Sequence, residues 1–259
     1  MTGAPLASIA AHLDALLRVR ETPDYPPAVN GVQVEHRGPV KKIAAAVDVS
    51  ARTIRGAVDA GANMLLVHHG LFWGGLQPLT GPHLARVRLL LEHDVALYSA
   101  HLPLDAHPMF GNSLLLARAI GLEPGAGFAR HETIDCGVRG PGDIATAELL
   151  ARLDVFAKSH GGGAVASAMT PDRRTRHWAI CSGAGVSAET IREAIDHGVD
   201  TLISGEGPHW SAVDAEEKGL VIIYAGHYAT ETLGVRAVAE HLSTTFGVPW
   251  TFIAAPTGL

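Results

Sequence analysis

The sequence predicts an α/β fold, and three observations carry that expectation. Short apolar runs alternate with amphipathic stretches along most of the 259 residues, the pattern of strands joined by crossover helices. Residues 50–61, SARTIRGAVDAG, align without a gap on residues 187–198, SAETIREAIDHG, at an offset of 137 and with eight identities. A His-x-x-x-acid signature follows an apolar run twice, as His101-Leu102-Pro103-Leu104-Asp105 and His227-Tyr228-Ala229-Thr230-Glu231. A repeat this long implies a duplicated domain, since a solenoid needs several shorter units.

Taken in order, Leu6, Ile9, Ala10, Leu13, Leu16 and Leu17 recur at helical spacing and form an amphipathic opening helix, which Pro23, Pro26 and Pro27 end. Residues 41–49 read as a strand. Ser50 is placed to cap a helix through Ala60, and Gly61 closes it. A strand ending at Val67, a loop FWGGLQPLTGP, a helix over 83–93, a strand over 95–100 and a helix over 112–120 complete the first half. The glycine- and proline-bearing stretch 121–127 marks a boundary. The second half reads as strand 131–138, helix 143–153, a glycine break at 161–163 and strand 177–181. It continues with helix 187–197, a strand to 204, helix 210–218, strand 220–225, helix 230–242 and a last strand 249–254. The expected division is residues 1–125 plus 226–259, which carry the candidate ligands, and residues 126–225 as the second repeat.

Composition narrows the function classes. With 47% hydrophobic and 18% charged residues the chain is globular. No apolar run reaches membrane-spanning length, and no basic region precedes an apolar one at the start, so neither anchor nor signal peptide is expected and a cytoplasmic location is favoured. A net charge of −6 with no Lys/Arg run argues against nucleic acid as a partner. Cys136 and Cys181 lie in no CxxC and read as buried small hydrophobes. The unusual count is histidine, at 15.

In open α/β sheets ligands collect at the C-terminal ends of strands, and the paired signatures fall there, as does His68-His69. Beyond the repeated helix, Met64–Val67 aligns with Thr201–Ser204, so His68-His69 aligns with Gly205-Glu206. At an offset of 126, Tyr98, His101 and Asp105 align with Tyr224, His227 and Glu231. Imidazole and carboxylate together bind first-row divalent ions such as Zn, Mn, Fe, Co or Ni. His227 and Glu231 share a face if a helical turn begins there, whereas Pro103 argues for an irregular turn between His101 and Asp105. Adjacent His68 and His69 should point apart and so address two ions, about 3.5–4 Å from each other in a two-metal site. The candidate ligands are therefore His68, His69, Asp105, His227 and Glu231. His101 either ligates or orients a neighbour, and His101, Glu206 and His209 are the candidates for moving protons. His12, His36, His83, His93, His131, His160, His177, His197 and His241 read as ordinary polar residues, and Phe72 and Trp73 as core.

At these residues the chain resembles the Nif-three-like proteins, also called GTP cyclohydrolase I type 2 homologues. The resemblance rests on Asn30-Gly31-Val32-Gln33-Val34-Glu35, His68-His69-Gly70, His101 to Asp105 with Gly111-Asn112, Gly205-Glu206, and Gly226 to Glu231, in that order over nearly the whole chain. It implies two intertwined α/β domains of related topology, in the short bacterial form without the extra inserted domain. It also implies a toroidal homohexamer with two metal ions per chain facing an internal cavity. The ligands it carries over are His68, His69, Asp105, His227 and Glu231, the last bridging both ions; the family varies within Gly205–His209.

The expected activity is metal-dependent hydrolysis of a small-molecule substrate. Two ions can lower the pKa of a water and polarise the atom it attacks. The resemblance specifies a nucleotide or purine-like substrate whose imidazole ring is opened at C8 with release of formate. A two-metal phosphoester hydrolase and a metal-binding hexameric scaffold or regulator are the alternatives. The native metal is open, because these donors suit several ions.

Overall fold

The structure is a computed structural model that describes residues 3–259. Two units emerge, Met1–His107 with Gly234–Ala255 and Pro108–Leu233 with Pro256–Leu259. The chain leaves the first unit, completes most of the second and returns, which is the interleaving that the resemblance implies.

In the first unit β1 (Ala4–Pro5) leads into α1 (Leu6–Leu16), and a 3-10 turn at Pro26–Ala28 precedes β2 (Gly31–Val34) and β3 (Pro39–Val40). Next come β4 (Ile43–Asp48), α2 (Ala51–Asp59), β5 (Met64–His69), α3 (Gly81–Glu92), β6 (Ala96–Ser99) and the single turn α4 (Leu102–Asp105). The second unit opens with α5 (Asn112–Ala119), the hairpin β7 (Ala126–His131) and β8 (Ile134–Ala145), α6 (Thr146–Ser159) and β9 (Val165–Ala166). It continues with β10 (Arg174–Cys181), α7 (Ala188–Asp196), β11 (Thr201–Ser204), α8 (His209–Glu217), β12 (Val221–Tyr224) and the turn α9 (His227–Thr230). Finally α10 (Thr232–Phe246) and β13 (Trp250–Phe252) rejoin the first unit. No helix among the described residues is long and apolar enough to cross a membrane.

The sheet orders are β13-β4-β5-β6-β2 and β7-β8-β10-β11-β12-β9. Each contains three parallel strands in chain order, β4-β5-β6 and β10-β11-β12, with an antiparallel strand beyond the third; in the first sheet β13 adds a fourth parallel strand beside β4. The helices α2 and α7, whose sequences align, both connect the first of the three strands to the second, so they hold topologically equivalent places in their sheets. The registers are not identical: Leu66 pairs with Tyr98, while the aligned Ile203 pairs with Ile223, one residue short of Tyr224.

The repeat also shares its capping chemistry. Ser50 Oγ accepts from Thr53 N at 3.1 Å and Thr53 Oγ1 accepts from Ser50 N at 2.8 Å. Ser187 and Thr190 reproduce the pair at 3.2 and 2.8 Å. This is a capping box with threonine in the place usually held by Glu or Gln. Each threonine hydroxyl also reaches back to the preceding segment, Thr53 to Asp48 O and Thr190 to Gly185 O.

Residue alternation assigns the faces of the second sheet. Trp178, Ile180, Ile203, Val221 and Ile223 pack with Leu116, Leu149 and Leu153 from α5 and α6, whereas Ala179, Leu202 and Ile222 pack with Ile191, Ala194 and Ala215 from α7 and α8. Both faces are covered, so the strands read as continuous apolar runs. In the first sheet Ala44, Ala46, Leu65, Val67 and Leu97 pack with Ile54, Ala57 and Leu90 from α2 and α3. The opposite face buries Ile43, Ala45, Met64, Leu66 and Tyr98, and the Tyr98 hydroxyl donates to Asp14 of α1 at 2.8 Å.

Three expectations change. Residues 139–142, Arg-Gly-Pro-Gly, read as a break before a helix at 143, yet they continue β8 and α6 starts at Thr146. Trp178 explains this: a Cβ at Gly140 would press on its indole, and its Nε1 donates to Pro141 O at 2.9 Å. A register shift between Thr175 and His177 accommodates the proline. Pro103 does not distort α4, because it sits in the first turn, where its missing N–H has no partner to lose. Residues 108–125 and 226–233 also group with the second unit rather than the first, since α5 packs into the Trp178 core.

Replacing either capping serine by alanine, Ser50→Ala or Ser187→Ala, should cost about 1 kcal/mol of stability. Urea denaturation reads the effect, and a midpoint unchanged in both variants would show that the boxes contribute nothing.

Candidate metal centre

In the first unit three histidines converge from two strand ends. β5 ends in His68 and His69, and β6 is followed by Ala100 and His101. The pairing of β5 with β6 stops at Val67 and Ser99, while β5 stays beside β4 to His69. A ring nitrogen from each of His68, His69 and His101 lies within 4.8 Å of the others. The rings of His68 and His69 are 4.7 Å apart at 47°, so these neighbours converge, against the divergence expected of adjacent strand residues.

Each ring is fixed through Nδ1. His68 Nδ1 donates to Ala100 O at 2.9 Å. His69 Nδ1 donates to Asp48 Oδ1 at 2.8 Å and His101 Nδ1 to Asp24 Oδ1 at 2.8 Å. An imidazole whose Nδ1 carries the hydrogen has its lone pair on Nε2, the form in which histidine binds a metal. For His68, which is fully buried, Nε2 lies 3.4 Å from Asp105 Oδ2. Two acceptors facing each other at that distance suit a cation between them.

Asp24 is the hub of this arrangement. Besides His101 it accepts from Tyr25 N at 2.7 Å, Asn30 Nδ2 at 2.7 Å and Leu102 N at 2.9 Å. Burial works against its charge, but the His101 ring, Asn30 and the Leu102 amide outweigh it and hold the carboxyl below its ordinary range. Asn30 also accepts from His101 N at 2.7 Å. Gln33 fixes the loop after β5 by donating to Ala28 O and Val29 O and accepting from Leu71 N at 2.7 Å. A Cβ on Gly70 would overlap the Gln33 amide. The Asn-Gly-Val-Gln motif thus positions the histidines.

The second unit presents one histidine in the same manner. His227 Nδ1 donates to Glu206 Oε1 at 2.7 Å, and Nε2 lies 3.1 Å from Glu231 Oε2. Glu231 is buried at the end of α9, one helical turn from His227. Backbone room comes from glycine: a Cβ on Gly183, whose φ is +62°, would overlap the Glu231 carboxylate, and one on Gly205 would press on the His227 Cα and Thr230 Oγ1. Burial pushes the His227 imidazole down, but Glu231 and Glu206 pull harder and raise its pKa to about 9. Without metal a proton holds the place between the two carboxylates.

Of the residues singled out from sequence, His68, His69, His101 and Asp105 come together in the first unit, and Glu206, His227 and Glu231 in the second. His209 is exposed at the start of α8. Trp73, expected in the core, is 40% exposed, whereas Phe72 does pack against the core. Asp24 and Asp48 were not singled out. Asp48 ends a strand just before the Ser50 cap, a signal that could have found it; Asp24 lies in a proline-bounded loop 77 positions from His101, and nothing local marks it.

Fold and donor chemistry define an α/β protein whose strand ends carry oriented histidines and carboxylates of the metal-binding kind. Residues 5–257 match the Duf34/NIF3 (NGG1p interacting factor 3) family, and the chain belongs to it. A protein of Deinococcus radiodurans named GTP cyclohydrolase 1 type 2 homolog is 40% identical over 253 residues, covering 95% of this chain and 92% of its own. One of the same name from Halobacterium salinarum is 40% identical over 259 residues, covering 98% and 99%. Among solved structures, TTHA1606 from Thermus thermophilus superposes with a TM-score of 0.84 at 36% identity, over 98% of this chain and 99% of that one.

The His227 pKa dictates a pH dependence for the metal-free protein. The folded value, about 9, lies above the ordinary 6.5, so the stabilisation is complete below about pH 6.5 and is lost as pH rises through about 9. Thermal melts of chelated protein should therefore fall over that window, and His227→Gln should fall less. Equal falls in both proteins would remove the assignment.

Proposed function

We propose that the chain is a metal-dependent hydrolase of the GTP cyclohydrolase I type 2 kind, acting on a nucleotide or purine-like substrate. Its ligands in this reading are His68, His69, Asp105, His227 and Glu231. The observation that supports it best is the shared orientation of four histidines, each with Nδ1 on a protein acceptor, the arrangement in which Nε2 is the nitrogen that binds a cation. The donor set fits one or two first-row divalent ions, Zn, Mn, Fe, Co or Ni. The substrate class rests on the name of the relatives.

Two such ions supply Lewis acidity and a water made acidic enough to attack near neutral pH. The chain's residues do the rest. Ala100 O, Asp48, Asp24 and Glu206 hold the rings in one tautomer, and the burial of His68, His101 and Glu231 keeps bulk water from competing. Glu206 has a half-exposed carboxylate on His227 Nδ1, and it is the solvent-side group of this reading for moving protons. His101 Nε2 is the second group placed for proton transfer. His209 is exposed at the start of α8 and is given no role in this reading. Assembly as a homohexamer belongs to the same reading and is read by light scattering.

Chelation should abolish turnover across a panel of purine nucleotides, and one added divalent ion should restore it. Turnover that survives exhaustive chelation would refute the metal-dependent reading. Glu231→Gln should lose most of the bound metal by elemental analysis, whereas His68→Ala and His69→Ala should each lose part. If Glu231→Gln keeps the parent's content, Glu231 is not a ligand. Asp48→Asn should weaken metal binding by about 10–100-fold through the His69 ring, which a competition titration with a chromogenic chelator measures.

A further inference from the structure

Two large aromatic side chains of the first unit stand in solvent beside the histidine group. Tyr25 is 53% and Trp73 40% exposed. Their ring centroids are 6.4 Å apart, edge to face at 87°. Both contact one imidazole: Trp73 lies 4.4 Å from His101 and Tyr25 6.2 Å from it. Trp73 also lies 5.4 Å from His69. The result is an open corner of rings against two candidate donors.

This corner is held by groups that also orient the donors. Tyr25 N donates to Asp24 Oδ1, the atom that receives His101 Nδ1, and Pro26 restricts the chain just after it. The turn bearing Trp73 is fixed on one side by Leu71 N on Gln33 Oε1 at 2.7 Å and on the other by Gly75 N on Phe72 O at 2.7 Å. Exposed aromatic surface at a preorganised site is available for binding, and a flat delocalised ring covers it best, by stacking that tolerates ring identity. A sugar or a phosphate alone has no π-face to offer.

We propose that Tyr25 and Trp73 form a stacking subsite for a planar heteroaromatic ring of the purine class, holding that ring beside His69 and His101. The subsite rests on the hydrolase reading for its purpose, but binding at it does not require catalysis.

The test uses the full-length protein, as isolated and after chelation, with guanosine 5′-monophosphate and ribose 5-phosphate as probes in calorimetric titrations. The second probe keeps the sugar phosphate and lacks the base. Guanosine 5′-monophosphate should bind about tenfold or more tighter than ribose 5-phosphate in both states. Trp73→Ala and Tyr25→Ala should each remove about tenfold of the nucleotide's affinity, leave that of ribose 5-phosphate unchanged, and keep the parent's metal content. Trp73→Phe should retain most of the affinity. Base-dependent binding with these variant effects but without turnover supports the subsite and removes the hydrolase. No measurable nucleotide binding to the parent, or variants that bind it as tightly as the parent does, would overturn the subsite. So would variants that weaken both probes equally, and so would a change of oligomeric state in light scattering, which would mark the corner as an interface between copies.

Discussion

The hydrogen bond from histidine Nδ1 to a protein acceptor is the constraint on which this site depends. A neutral imidazole has one donor and one acceptor nitrogen, so pinning the first decides where the second points. Four histidines are pinned in this way, by a backbone carbonyl at Ala100 and by the carboxylates of Asp48, Asp24 and Glu206. Each acceptor comes from an element other than the one bearing its histidine. The rings are therefore oriented only when the chain is folded, and a buried acceptor such as Asp24 keeps its charge because four donors converge on it.

That constraint explains features of the backbone that would otherwise look incidental. Glycines stand where the backbone must approach the polar groups: Gly70 against Gln33, Gly183 against the Glu231 carboxylate and Gly205 against His227. The capping boxes at Ser50 and Ser187 fix where α2 and α7 begin, and the strand before each begins a βαβαβ run ending in the segment that carries His101 or His227. The parallel strands β4 and β5 are apolar except at their last residues, Asp48 of β4 and His68 and His69 of β5. They bring polar residues to their C-terminal ends, where helices and loops leave room for side chains.

The carboxylates near His227 and His68 show what the donor sets are suited to bind. Glu206 and Glu231 flank His227 and hold a proton on it well above the ordinary imidazole range. Asp105 Oδ2 faces His68 Nε2 at 3.4 Å. Protons and divalent ions compete for such sites, and a set of imidazoles and carboxylates selects borderline first-row ions over Mg or Ca, which favour oxygen alone.

Much of this was legible in the amino-acid sequence. The alternation of strands and helices, the repeated SAxTIRxAxDxG segment and the strand-end positions of His68, His69, His101 and His227 follow from local pattern, because periodicity and capping are set by residues a few positions apart. Local pattern misled where distant packing decided. Arg139 to Gly142 has the composition of a turn, yet it is strand because Trp178 needs Gly140 and Pro141 beside it. The convergence of His68 with His69, the exposure of Trp73 and the hub role of Asp24 depend on contacts between segments far apart in sequence, such as the 77 positions between Asp24 and His101. Sequence by itself determined which residues could ligate; only the tertiary structure decided which nitrogen each presents, because that choice belongs to the acceptor on another element.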